Sequence, residues 1–131
     1  VIDFGTATTF DIIDSDGTYK GGLICPGIIL SIKSLNNDTA QLPLVDLKRT
    51  SNVIGRDTKS AIESGIYWGY VSLVEGLIEK IQNEMGLEEC TVVGTGGLSH
   101  IFREDIKKIN YFNDDLTLKG LYSINKKING K

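Results

Sequence analysis

Cysteine and histidine are scarce in this chain, and what remains of them is scattered. Cys25 and Cys90 are the two cysteines and His100 the one histidine. With no CxxC pair and no cluster of the roughly three or four ligands that zinc takes, neither a disulfide framework nor a zinc site is indicated. No apolar run reaches the roughly 18 residues of a membrane span, and no signal-peptide pattern occurs, so a cytoplasmic protein with no membrane partner is expected. Excess charge is lacking too: 14 Lys and Arg stand against 17 Asp and Glu, a net charge of −3 spread along the chain. A nucleic-acid partner is therefore not expected, because phosphate backbones are met by basic patches. Lys107-Lys108 and Lys126-Lys127 read as solvated pairs. Asn37-Asp38-Thr39 matches a glycosylation sequon and, without a secretion signal, reads as chance. GxxxxGK[ST], HExxH and GxSxG are all missing. "GTGGLSH", Gly94 to His100, is not GxGxxG, because Ser99 stands where the last glycine belongs.

The pattern that is present is mixed α/β. "VIDF", "TATTFDIID" and "TYKGGLIC" alternate apolar and β-branched residues around turns at Gly5 and at "DSDG", which predicts an antiparallel meander. The Gly21-Gly22 pair permits a bulge or a close approach. From Pro26, placed in a first helical turn, Ile28, Ile29, Ile32 and Leu35 recur at helical spacing. A polar, irregular excursion from Asn36 to Thr58 precedes a long helix from about Lys59 to Met85. Ile62, Ile66, Gly69, Tyr70, Leu73, Leu77 and Ile81 track one face of it. Gly65, Gly69 and Gly76 each cost that helix about 1 kcal/mol against alanine, which predicts something packed close to them. "CTVVGTGG" reads as a buried strand running into a helix, "LSHIFREDIKKI". "DDLTLKGLYSINKKI" reads as a last helix with Leu118, Leu121 and Ile124 on one face.

Two glycine-rich turns end predicted strands. At the first, Gly5 lets the chain turn sharply and offer backbone N–H groups to an anion, and Thr6 adds a hydroxyl. Asp3 has the wrong sign for phosphate and makes sense there with a cation between, since hard cations take carboxylate oxygens. The alternative is a β-turn beside an incidental carboxylate. At the second, Gly94-Thr95-Gly96-Gly97 leads from strand to helix, where N-termini favour anions and glycines let a ring or ribose approach the backbone. The alternative is a plain connection using glycine for positive φ. Taken together, the turns suit a two-site grip on a nucleotide, phosphates at the first and nucleoside at the second.

"DFGTATTFD", "GGLICPGI", "NNDTAQLP", "IGRDTKSAIESGIYWG", "GTGG" and "LTLKGLYSIN" occur in that order from Asp3 to Asn125. In them the chain resembles the C-terminal half of type III pantothenate kinases, in the actin/sugar-kinase/Hsp70-like (ASKHA) superfamily. The resemblance implies a single ribonuclease H-like, actin-like ATPase domain, with residues 1–131 forming the C-terminal lobe of a two-lobed kinase. The family transfers the γ-phosphate of ATP, with Mg2+, to pantothenate, the first step toward coenzyme A. By resemblance, Asp3 is the ligand of a monovalent cation, K+ or NH4+. Gly5 and Thr6 meet the ATP phosphates, Gly96 and Gly97 the nucleoside, and Thr58 the pantothenate. Thr58 also reads as a good helix N-cap. The family is dimeric, and Ile66, Tyr67, Trp68 or Tyr70 is a candidate for the contact, with core packing the alternative for Ile66 and Tyr70.

The family's earlier DxGNT-type turn and its "GADR" stretch, whose aspartate acts as general base, have no counterpart in these residues. Asp11, Asp14, Asp16 and Asp57 read as turn and strand-surface residues rather than substitute bases, so no catalytic residue is named. The 131 residues by themselves are expected to be inactive or nearly so. Two rival readings are another sugar or acetate kinase of the superfamily, against which the Thr58 segment speaks, and a non-enzymatic accessory factor for transcription.

Overall fold

The computed structural model describes residues 1–37 and 42–130. Its elements run β1 (Ile2–Phe4), β2 (Ala7–Ile13), β3 (Tyr19–Pro26), α1 (Ile28–Asn37), α2 (Thr58–Met85), β4 (Val93–Thr95), β5 (Tyr111–Phe112) and α3 (Leu116–Asn129). Half of the "NNDTAQLP" piece, and Asp38 and Thr39 of the sequon, lie outside the described residues.

The mixed α/β architecture is as expected. One five-stranded sheet has the order β3-β2-β1-β4-β5. The meander β1–β3 is antiparallel, and β4 and β5 are added in parallel. β5 was not foreseen, since two residues are too short to show a period. The register of β2 against β3 shifts between Ile12 and Ile13 beside Gly21, whose φ is +116°. A Cβ on Gly22 would lie 2.1 Å from the Phe10 carbonyl oxygen. The glycine pair thus supplies both a bulge and a close approach.

Alternation along β1 turns Ile2 and Phe4 to one sheet face and Asp3 to the other. Ile2, Phe4 and Phe10 join Ile28 of α1 and Tyr67, Tyr70, Val71, Val74 and Ile78 of α2 in the core. Phe102, wholly buried, sits among Phe4, Tyr67 and Tyr70 with ring centroids 5.4–5.5 Å away. Tyr67 and Tyr70 are therefore core residues, which corrects the contact read for Tyr67 and selects the core alternative for Tyr70. Tyr70 exchanges a hydrogen bond with Thr8, and the Tyr67 hydroxyl donates to Asp105 Oδ2 at 2.6 Å.

The buried face of α2 also differs from the expected one: it runs through Glu63, Ser64, Tyr67, Tyr70, Val71, Val74 and Ile78. Aliphatic residues on several sides of the helix blurred the period. Among the described residues nothing lies within 4 Å of a Cβ built on Gly65, Gly69 or Gly76, so close packing by them does not explain those glycines. Asp57, not Thr58, is the N-cap: its Oδ1 accepts from Ser60 N at 2.9 Å, and the Ser60 hydroxyl completes a capping box. Pro26 ends β3 instead of opening a helix, and Gly27, whose carbonyl accepts from Ser31 N at 3.0 Å, precedes α1.

The helix expected after "GTGG" shrinks to one 3-10 turn, Ser99–Phe102. Ile106 N still donates to the Phe102 carbonyl at 3.0 Å, but Lys107 N gives its hydrogen to Glu75 Oε1 of α2 at 2.9 Å rather than to a carbonyl one turn back. Asp105 is turned aside by Tyr67 and by Arg49, whose guanidinium reaches both its oxygens at 2.6 and 3.0 Å. This pair ties the segment before α2 to the segment after β4. α3 forms as expected, yet none of its residues is buried. Leu118, Leu121, Tyr122, Ile124 and Ile128 remain 56–76 % exposed. Among the described residues no helix is long and apolar enough to cross a membrane.

Phe102→Ala removes the ring at the centre of the aromatic group and is expected to cost about 3–5 kcal/mol of unfolding free energy. Gly65→Ala, at an open helical position, is expected to gain up to about 1 kcal/mol. Urea denaturation followed by circular dichroism measures both.

Candidate functional site

The two glycine turns meet. β4 lies parallel to β1 with Ile2 opposite Gly94 and Asp3 opposite Thr95, so both strands end at the same edge of the sheet. Gly96 follows with φ +94°, and a Cβ there would sit 2.4 Å from Asp3 Oδ1 and 2.6 Å from Phe4 N. Only glycine satisfies both the angle and the approach. Leu98 N donates to the Phe4 carbonyl at 3.3 Å and fastens the second turn to the first. Gly97 is exposed, with nothing within 4 Å of an added Cβ.

At the first turn, Gly5 does not have a positive φ, and its N–H donates to the Ala7 carbonyl at 3.1 Å. The expected backbone donor is thus already engaged, which leaves the exposed Thr6 side chain facing outward. A residue the sequence reading passed over completes the turn. A Cβ on Gly27 would lie 1.9 Å from the Thr6 carbonyl oxygen and 2.9 Å from that of Gly5. The start of α1 is therefore pressed against the Gly5-Thr6 backbone. The helix dipole expected at the second turn is found at the first, because "GTGG" opens only a short 3-10 turn while Gly27 opens a helix of 10 residues. "PG" directly before an apolar helical period was the signal that could have revealed it.

Asp3 is half-buried on the face opposite the core. Thr95, opposite it in register, is 2 % exposed, and its Oγ1 is buried with no hydrogen-bond partner among the described residues. A carboxylate and an unpartnered hydroxyl at paired positions of β1 and β4, with no β-carbon at Gly96 to fill the space, are oxygen donors of the type that a hard cation takes. No group of three or more His, Cys, Asp or Glu side chains that could hold a metal occurs among the described residues, so a cation here would rely on one carboxylate.

Thr58 stands apart. It is exposed in the first turn of α2, and no hydrogen bond or ion pair among the described residues links it to the two glycine turns. Before it lies a polar recess of about 330 Å³ lined by Lys48, Arg49, Thr50, Asn52, Arg56 and Ser60, among others. Gly55 shapes this approach, since a Cβ on it would lie 2.3 Å from Ala61 N. Lys48 is paired with Glu63 at 3.2 Å, and Arg49 with Asp105. A larger, mainly aliphatic groove of about 500 Å³, lined by Val1, Ile13, Ile81, Met85 and Cys90 among others, shares no residue with either turn.

Three of the four candidate substitute bases have structural work elsewhere. Asp14 accepts from Ser15 N and pairs with Lys20, Asp16 accepts from Thr18 N, and Asp57 caps α2. In each of the three, a backbone N–H is the main cause holding the carboxyl below its ordinary range. That makes it a weaker proton acceptor. The Arg49 guanidinium does the same to Asp105, and burial raises the Tyr67 phenol.

A profile of the family described as type III pantothenate kinase matches residues 1–80. The chain is 52 % identical over 127 residues to the type III pantothenate kinase of Paramagnetospirillum magneticum, covering 97 % of this chain and 48 % of that protein. With that of Agathobacter rectalis the identity is 40 % over 131 residues, 100 % of this chain and 50 % of the other. The chain thus spans about half the length of the curated relatives it matches. A crystal structure from Campylobacter jejuni, described as a conserved Baf family transcriptional activator, is similar with a TM-score of 0.66 and 22 % identity. It matches 99 % of this chain and 58 % of its own. At that identity the likeness establishes the fold alone.

Gly96→Ala is expected to lose about 1–3 kcal/mol of stability, through its positive φ and the contact with Asp3 and Phe4. Gly97→Ala is expected to stay within about 0.5 kcal/mol of the parent chain. Urea midpoints separate the two. The Asp105 carboxyl, depressed by Arg49, contributes stability that is complete above the unfolded value of about 4 and is lost as pH falls from there toward the lower folded value. The urea midpoint of the parent chain is therefore expected to fall more steeply below about pH 4 than that of Asp105→Asn.

Proposed function

The chain belongs to the type III pantothenate kinase family, and from that premise we propose that residues 1–131 form the ribonuclease H-like C-terminal lobe of an ATP-dependent kinase acting on pantothenate. The observation that carries the reading is the junction of the two turns. Gly96 lies flush on Asp3 and Phe4, and Gly27 lies flush on Gly5 and Thr6. Two chain tips and one helix N-terminus thereby share one edge of the sheet.

In this reading the ATP phosphates lie at the Gly5-Thr6 turn, where the Thr6 hydroxyl donates and the N-terminal end of α1 favours negative charge. The nucleoside lies on the backbone at half-buried Gly96 and exposed Gly97, and Thr58 contacts pantothenate across the polar recess. Asp3 holds a monovalent cation, K+ or NH4+, which when bound supplies positive charge between the carboxylate and the phosphates. Mg2+ accompanies the nucleotide. Phosphoryl transfer depends on positioning and charge neutralisation, and these residues supply one phosphate turn and a substrate contact but no general base. The protein acts as a homodimer in the cytoplasm, with a subunit contact that excludes Tyr67 and Tyr70. A second reading, an accessory factor for transcription, draws on the name of the Campylobacter jejuni structure. A net charge of −3 speaks against contact with DNA.

The test is a graft of residues 1–131 in place of the matching half of the Paramagnetospirillum magneticum enzyme. It is expected to form 4'-phosphopantothenate from ATP and pantothenate, and nothing from acetate or a hexose. Thr6→Val in the graft is expected to lower kcat/KM for ATP about 10- to 100-fold, the worth of one hydrogen bond to a charged group. The 131-residue chain assayed by itself is expected to give no turnover. A folded graft that phosphorylates acetate or a sugar instead overturns the substrate; turnover by the chain alone, comparable with the graft, overturns the single-lobe reading.

A further inference from the structure

Thr95 carries a polar group that the fold leaves unused. Its side chain is 2 % exposed, and its Oγ1 has no hydrogen-bond partner among the described residues. Valine would fill the same volume and suit a strand equally well. A buried hydroxyl without a partner is unfavourable, so the position calls for a group that satisfies it. The register supplies the direction: Thr95 of β4 stands opposite Asp3 of β1 in a parallel pair. Paired residues of neighbouring strands share a sheet face. No hydrogen bond joins the two side chains among the described residues. Gly96, the next residue, lacks the Cβ that would otherwise come within 2.4 Å of Asp3 Oδ1.

We propose that the Thr95 hydroxyl is a second oxygen ligand of the cation held by Asp3, so that β1 and β4 each give one ligand at the junction of the glycine turns. The inference rests on the cation reading of Asp3 and adds a residue to it. The ion is the monovalent cation of the proposed function; one carboxylate and one neutral hydroxyl carry a single negative charge, which such an ion balances. Oxygen donors of this kind suit a hard cation. The ligand pair also has a structural consequence, because an ion bound by both strands adds a bond across the β1–β4 seam.

The experiment measures ion binding and stability in the full 131-residue chain, with no assay of activity. Thermal unfolding is compared in KCl and in choline chloride at equal ionic strength, and 86Rb+ binding is measured by equilibrium dialysis. The parent chain is expected to melt at a higher temperature in KCl than in choline and to bind Rb+. Thr95→Val is expected to lose the KCl shift and to bind Rb+ at least about tenfold more weakly, while melting in choline no lower than the parent. Thr95→Ser, which keeps the hydroxyl, is expected to retain the shift, and it serves as the second variant if Thr95→Val does not fold. Asp3→Asn is expected to abolish both signals. A KCl shift lost in Asp3→Asn but kept in Thr95→Val, or lost in a folded Thr95→Ser, overturns the role of Thr95 alone. The absence of any KCl shift and Rb+ binding in the parent chain, or their survival in Asp3→Asn, overturns the cation reading and this inference with it.

Discussion

A β-carbon on Gly96 would fall 2.4 Å from Asp3 Oδ1, and one on Gly27 would fall 1.9 Å from the Thr6 carbonyl oxygen. Contacts that close leave no room for any side chain, so the edge where β1, β4 and the start of α1 converge exists only because two particular residues are glycine. The consequences run outward from there. The parallel pairing of β1 with β4 can continue to the ends of both strands, the α1 N-terminus can press on a hairpin tip, and the Leu98 N–H can close on the Phe4 carbonyl. Beneath this edge the packing is ordinary: Phe4 reaches down to Phe102, and Phe102 to Tyr67 and Tyr70 of α2. The site and the core share a strand, with Asp3 on one face and Ile2 and Phe4 on the other.

The parts of this arrangement that could be read in the sequence are those whose causes are local. Alternation marked the meander, Gly21-Gly22 marked the bulge, and a long apolar period marked α2. The missed parts have causes that are distant in the chain. No pattern near Lys107 announces that Glu75, on another element, takes its N–H and leaves a 3-10 turn where a helix was expected. The buried face of α2 includes Glu63 and Ser64, which a hydrophobic period passes over, because Lys48 reaches the first and loop carbonyls accept from the second. Thr58 and Asp57 are both good caps by type, and only the geometry with Ser60 decides between them. The candidate site was legible as two separate turns. Their contact, and the opposition of Asp3 and Thr95, depend on a strand register that spans some ninety residues of chain.

On the proposed reading, charge explains why this edge would be half of a phosphate site rather than a whole one. A nucleotide triphosphate brings several negative charges that a kinase must neutralise. On this edge the chain offers one hydroxyl and one helix N-terminus, and it adds a carboxylate of the same sign as the ligand. Five of the cations are committed elsewhere: Lys20 to Asp14, Lys48 to Glu63, Arg49 to Asp105, Arg103 to Asp114 and Lys108 to Glu79. The singly charged ion proposed at Asp3 would remove the repulsion without supplying the remaining attraction. On the proposed kinase reading, further positive charge and a general base come from outside these residues, and relatives about twice as long as the chain have room for both.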